Sequence, residues 1–224
     1  MKVSAAATTR NLLGPLVRMA YRVNVIGAHH VPARGGLLLV ANHPGIADAT
    51  LLGAASPRPV RVLIEAGAFA PVWSALSRSS GRIVVADDDQ AAAVREAVTL
   101  VGGGEAVAMF PEGGLPSVDH PARVASLGAA YVQVTTGVPV VPVALLGSHG
   151  RRPTDPPPVR ATVDVIFGAP FTPESVSDPC ARATVVDVAE VLRQRLADHV
   201  MTATHRTGRV AVAGQFFTRQ DGAL

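Results

Sequence analysis

The chain of 224 residues contains one cysteine, Cys180. No disulfide framework and no cysteine-rich metal site can form within it, which suits a reducing compartment. Lysine is also nearly absent: Lys2 is the only one, and arginine supplies the other basic residues. Aromatic residues make up 4% and charged residues 17%, against 48% hydrophobic. With a mean hydropathy of +0.31, the chain is too apolar to be disordered. Much of the apolar share is Ala and Val, which points to a small-residue α/β core. Sparse basic residues without interleaved aromatics argue against nucleic acid as a partner.

Acidic residues are missing from one end. Residues 1–47 hold Lys2, Arg10, Arg18, Arg22 and Arg34 and no Asp or Glu. A basic segment of this kind suits anionic lipid or an anionic ligand. The start MKVSAAATTR does not read as a secretory signal, because Arg10 interrupts the apolar run. The longest charge-free stretch, Val124 to Ser148, has the length of a membrane span. Gln133, Thr135, Thr136, Gly137, Pro139 and Pro142 instead divide it into a helix, a turn and a strand.

Leu12, Leu13, Leu16, Val17, Ala20 and Val23 recur at helical spacing, with Arg18 and Arg22 one turn apart. They predict an N-terminal amphipathic helix within residues 1–22, beginning near Asn11 with Pro15 in its first turn. It can lie in a membrane interface or pack on the domain. The domain itself is expected over residues 23–204, with a C-terminal tail over 205–224. Candidate strands are Val23–Ile26, Gly36–Ala41, Val60–Ile64, Arg82–Ala86, Ala106–Phe110, Val138–Leu145 and Thr162–Phe167. Candidate helices are Ala47–Gly53, Pro71–Ser79, Asp89–Val101, Val124–Thr136 and Arg182–Thr204. This alternation predicts an α/β layer fold with a mostly buried mixed sheet flanked by helices.

The apolar run Gly36–Ala41 ends abruptly in Asn42-His43-Pro44-Gly45. Polar residues with Pro-Gly at the end of a buried strand are where an α/β protein displays functional groups. On a regular helix His43 and Asp48 would not share a face, but Pro44-Gly45 forces a turn that lets Asp48 fold back. A carboxylate on imidazole Nδ1–H fixes the tautomer and puts the basic lone pair on Nε2, so the pair can deprotonate an alcohol. Two capping residues would leave the same pattern. A second block, Phe110-Pro111-Glu112-Gly113-Gly114, follows the strand Ala106–Phe110 and offers a carboxylate with unobstructed backbone N–H groups; alone, it also fits a plain surface turn. Gly81–Asp87 and Gly137–Val143 are strands with an Arg and with prolines respectively, and proline within a strand implies an edge or a bulge.

In their order these blocks resemble the glycerolipid acyltransferase family, the 1-acylglycerol-3-phosphate acyltransferase-like enzymes. That family carries N-H-x4-D, G-x-I-x-V-x-R, F-P-E-G-T-R and a V-P-V strand. The counterparts here are Asn42–Asp48, Gly81–Asp87, Phe110–Gly114 and Val140–Val143. The resemblance implies an O-acyltransferase in which His43 is the general base and Asp48 orients it. The activated hydroxyl of a lysophospholipid or glycerol-phosphate-type acceptor would attack the thioester of acyl-CoA or acyl-carrier protein directly. No acyl-enzyme, metal or other cofactor is implied. Asn42, Phe110, Pro111, Glu112, Gly113, Gly114, Arg82 and Arg123 are the candidate substrate-binding residues. The partners implied are a membrane lipid acceptor, the acyl donor and a membrane surface, at the cytoplasmic face of the cell membrane.

Two positions depart from the family. Where it has Thr-Arg after F-P-E-G, this chain has Gly114-Leu115, and where an Arg closes the second block it has Asp87. A charge-assisted Arg–phosphate contact is not replaced by Leu or Asp, so the acceptor stays open. A thioesterase using the same dyad and a non-catalytic lipid-binding relative are the alternatives. His29, His30, His120, His149, His199 and His205 show no metal-ligand spacing, and Ser148-His149 lacks a nucleophile-elbow pattern.

Overall fold

The computed structural model describes residues 14–65, 83–85, 90–111, 122–152, 154–174 and 181–209. The expected helix Pro71–Ser79 lies outside them. The strands are Arg22–Ile26 (β1), Leu37–Ala41 (β2), Val60–Glu65 (β3), Ile83–Val85 (β4), Ala106–Met109 (β5), Val140–Leu146 (β6) and Thr162–Phe167 (β7). They form one sheet in the order β1-β7-β6-β2-β5-β3-β4. Every pairing is parallel except that of β6 with β7. The sheet is therefore mixed, as the sequence predicts. The C-terminal ends of β2, β5 and β6 share one edge with the beginnings of β1 and β7.

Helices cover both faces: residues 14–20 (α1), then Asp48–Ala55 (α2), Gln90–Gly102 (α3), Ala122–Thr136 (α4) and Arg182–Thr207 (α5). The two-residue period of the strands sorts the core into two layers. Leu38, Val40, Val107, Met109 and Ile166 face α3, α4 and α5. Leu37, Leu39, Ala41, Val143 and Val165 face α2 and Val17 of α1. Because β2 is covered on both sides, all five of its residues are buried. Burying each of its three leucines contributes roughly 1.5–3 kcal/mol. The small residues of the helices let them approach closely: a Cβ on Gly128 of α4 would sit 3.2 Å from Val94 of α3.

Two boundaries and the place of one proline differ from what the sequence predicts. Arg22, expected in the N-terminal helix, opens β1 opposite Thr162, because the helical turns of α1 end at residue 20 and pairing with β7 takes over. Helix α5 runs on to Thr207, where Gly208 (φ 66°) ends it, so residues 205–207 are helix rather than tail. Of the edge or bulge expected from Pro142, the edge is absent, since β6 lies between β2 and β7. Pro142 is tolerated because its missing N–H faces β7 where that ladder stops. Residues 168–170 leave the pairing between Phe167 and the isolated Val140–Phe171 bridge, and Gly168 N–H donates to Pro142 O at 2.8 Å.

At the far end of the sheet, His30 Nδ1 and His199 Nε2 hydrogen-bond the carbonyls of Phe167 and Ile166, both at 2.9 Å. Burial pushes the His199 imidazole below its ordinary value of 6.5, and the nearby His30 and Arg206 push the same way against the bond to Ile166. The folded state therefore resists protonation that the unfolded chain accepts. Stability is full above pH 6.5 and falls as pH drops from there toward the lower folded value. His199→Gln is expected to flatten this part of the curve of urea midpoint against pH. An equal slope in both proteins would rule the assignment out.

Candidate active site

The polar end of β2 is held in place by its first side chain. Asn42 is 3% exposed, and its carboxamide continues the sheet where the backbone turns away. Nδ2 donates to Leu145 O at 3.0 Å, and Oδ1 accepts from Leu145 N–H at 2.7 Å. Asn42, expected among the substrate-binding residues, stands as a strut between β2 and β6.

His43 and Asp48 come together as the turn at Pro44-Gly45 allows. Asp48 is the first residue of α2, where a carboxylate also suits the helix dipole. Its Oδ2 accepts from His43 Nδ1–H at 2.8 Å and from Gly45 N–H at 2.7 Å. Gly45 has to be glycine: a Cβ there would lie 2.8 Å from Ser148 O and 2.9 Å from His149 Cα. The loop leaving β6 is thus pressed against the turn that carries the histidine.

The electrostatics are those of a buried acid serving a partly open base. Asp48 is wholly buried, and the His43 side chain is 14% exposed. Burial pushes the Asp48 carboxyl above the ordinary carboxylate range; the hydrogen bond and charge of His43, then Ser148 and Gly45, pull it back down. With Nδ1–H directed at the carboxylate, the imidazole lone pair lies on Nε2. The ring plane is set by Phe110, which leaves β5 and stacks on His43 with centroids 4.3 Å apart and planes 21° apart. Pro111 is buried in the same turn.

Of the other predicted site residues, Arg123 falls in the first turn of α4. Glu112, Gly113, Gly114 and Arg82 lie outside the described residues. Ser148, which the sequence reading set aside, is fully buried and acts directly on Asp48. Its only signal was its place just after the V-P-V strand, at the same sheet edge as His43. Among the described residues, no three His, Cys, Asp or Glu side chains gather as a metal-binding group.

Known proteins are similar to this chain to different extents. A solved structure of the 1-acyl-sn-glycerophosphate acyltransferase PlsC from Thermotoga maritima has the same fold. It superposes with a TM-score of 0.66 over 94% of this chain and 86% of that one, at 19% sequence identity. Uncharacterized proteins of Mycobacterium tuberculosis and Mycobacterium bovis are 30% identical over 193 residues, 79% of this chain and 51% of theirs. One from Mycobacterium leprae is 30% identical over 178 residues, 72% of this chain and 46% of its own. The chain thus spans about half the length of the curated relatives it matches. The family model described as Acyltransferase matches residues 22–146, from β1 through the end of β6. That segment holds His43, Asp48 and Phe110, and the chain belongs to the acyltransferase family.

Proposed function

We propose that this protein transfers a fatty acyl group from acyl-CoA or acyl-carrier protein to the hydroxyl of a lysophospholipid or related glycerolipid acceptor. The observation that carries the proposal is the 2.8 Å contact of His43 Nδ1 with Asp48, in a chain of the acyltransferase family. His43 Nε2 takes the acceptor's proton as its oxygen attacks the thioester carbonyl, and the thiolate leaves. Asp48 balances the imidazolium that forms. Two substrates meet in one step, so no nucleophilic Ser or Cys is required. Glu112, Gly113 and Gly114 then organise the acceptor.

The acceptor need not carry a phosphomonoester, because Leu115 and Asp87 stand where the family places arginines. A panel of lysophosphatidate, other lysophospholipids and uncharged monoacyl glycerolipids, each with the same acyl thioester, tests this. The expected result is greater activity on an acceptor other than lysophosphatidate. Acylation of lysophosphatidate far above all others would overturn the acceptor assignment while leaving the acyltransferase assignment intact.

The acceptor is expected to be met at a membrane surface, on its cytoplasmic side. Among the described residues no helix is long and apolar enough to cross a membrane, so the contact proposed is peripheral. Leu16 and Met19 of α1 are 54% and 77% exposed, and Val159 in the loop before β7 is 78% exposed. Arg18, Arg22 and Arg160 are exposed among them. The loop is tied to the end of α1: Arg160 N–H donates to Ala20 O at 2.7 Å and Arg22 N–H to Ala161 O at 2.9 Å. Arg160 holds a left-handed φ of 66°, a strained conformation for a residue with a Cβ. Both pieces lie at the sheet edge from which His43 emerges, where arginines attract anionic headgroups at about 1 kcal/mol each. The double variant Met19→Glu, Val159→Glu is expected to lower partitioning onto phosphatidylglycerol-containing vesicles by roughly tenfold or more. Unchanged cosedimentation would remove this surface from the account.

A further inference from the structure

Three buried side-chain oxygens among the described residues make no hydrogen bond: Ser56 Oγ, Asp48 Oδ1 and Ser148 Oγ. Ser56 closes α2, away from the dyad. The other two are neighbours. Ser148 is close enough to Asp48 to favour its charged form, yet the hydroxyl is not aligned as a formed bond. A buried carboxylate with one oxygen unsatisfied and a buried hydroxyl with nothing to donate to are each unfavourable alone. They satisfy one another if the hydroxyl turns toward Oδ1, because a serine hydroxyl can rotate.

The local backbone presents Ser148 for this. Gly147 (φ +74°) turns the chain as it leaves β6, and the close approach of Ser148 O and His149 Cα to Gly45 fixes the loop on the catalytic turn. The neighbouring His149 directs Nδ1 to Gly150 O at 2.8 Å. Among the described residues, His43 is the one titratable side chain shown to act on Asp48.

We propose that Ser148 is a positioning residue of the dyad. Its hydroxyl donates to Asp48 Oδ1, keeping the carboxylate ionised and its plane fixed, so that Oδ2 stays on His43 Nδ1–H. Three elements then build the site: the end of β2 gives the base, the start of α2 the acid, and the exit of β6 the group that holds the acid. This assignment rests on His43 being the general base. The competing role for Ser148 is a small residue filling a tight turn. In that case Ser148→Ala removes an unsatisfied hydroxyl at no cost to stability or rate.

The test compares wild type, Ser148→Ala and Ser148→Thr, each checked for folding by thermal melting. Two readouts are taken, the pH profile of acyl transfer and the NMR titration of the His43 ring nitrogens. Without the serine donor, the proton shared by the pair settles more readily on Asp48. Ser148→Ala is therefore expected to lower kcat by roughly tenfold with KM little changed. The acidic limb of kcat/KM should move up by roughly half a pH unit or more. Ser148→Thr keeps the hydroxyl and should restore the profile. Wild-type kcat and an unmoved acidic limb in Ser148→Ala would overturn the proposal. If acyl transfer proves independent of His43, the general-base assignment falls instead. The His43 titration then still decides whether Ser148 holds the pair, by shifting or not shifting in Ser148→Ala.

Discussion

Replacing His43 by alanine is expected to slow acyl transfer by roughly a thousandfold or more while leaving the fold intact, because a positioned general base contributes about 10²–10⁴. The side chain is partly open and hydrogen-bonds Asp48. Asp48→Asn should also be severe, roughly a hundredfold or more, because a carboxamide cannot balance the imidazolium. Stability should move the other way. Burial raises the Asp48 carboxyl above its ordinary value of 3.8. A group shifted in that direction contributes fully below its unfolded value and loses that contribution as pH rises through the folded one. At neutral pH the ionised Asp48 is thus a cost to the fold, and Asp48→Asn should melt no lower than wild type. Steady-state rates and melting curves on the purified variants check both halves. Near wild-type turnover in either variant would refute the dyad.

The largest effect on stability is expected at Asn42, whose carboxamide satisfies both the N–H and the C=O of buried Leu145. Asn42→Leu is close in volume but leaves two buried backbone groups without partners, each costing about 1–3 kcal/mol. A total of about 2–6 kcal/mol, or roughly 4–24 °C in Tm for a chain of this size, is predicted. Urea unfolding measures it directly, and an unchanged midpoint would show that Leu145 finds other partners. Activity should fall too, since the turn carrying His43 begins at this residue.

These two neighbours show how far the sequence could be read. The apolar run before Asn42 and the Pro-Gly turn after His43 were enough to place a buried strand, a break and a helix, and to bring Asp48 back toward the imidazole. Periodicity also gave most strands and the division of Val124–Ser148 into helix, turn and strand. What it could not give was partnership across the sheet. Asn42 and Leu145 are 103 positions apart, and nothing local in Asn-His distinguishes a strut from a substrate ligand. Phe110 was legible as part of a motif, but its stacking on His43 depends on β5 lying beside β2. Pro142 suggested an edge or a bulge. Its tolerance in a central strand comes from residues 168–170 leaving the ladder, an event in another strand. Ser148 gave no signal beyond its place after the V-P-V strand, because the approach of the β6 exit to the turn at Gly45 is a long-range contact.

In the proposed reaction His43 activates an acceptor hydroxyl for direct attack on a thioester. It is tested most directly by following a labelled acyl thioester through a single turnover with and without a lysolipid acceptor. Label is expected to pass to the lipid, transfer should require both acceptor and His43, and no acyl-protein should accumulate. A covalent acyl-protein that forms and decays at the turnover rate would contradict it, as would fatty acid release indifferent to the acceptor.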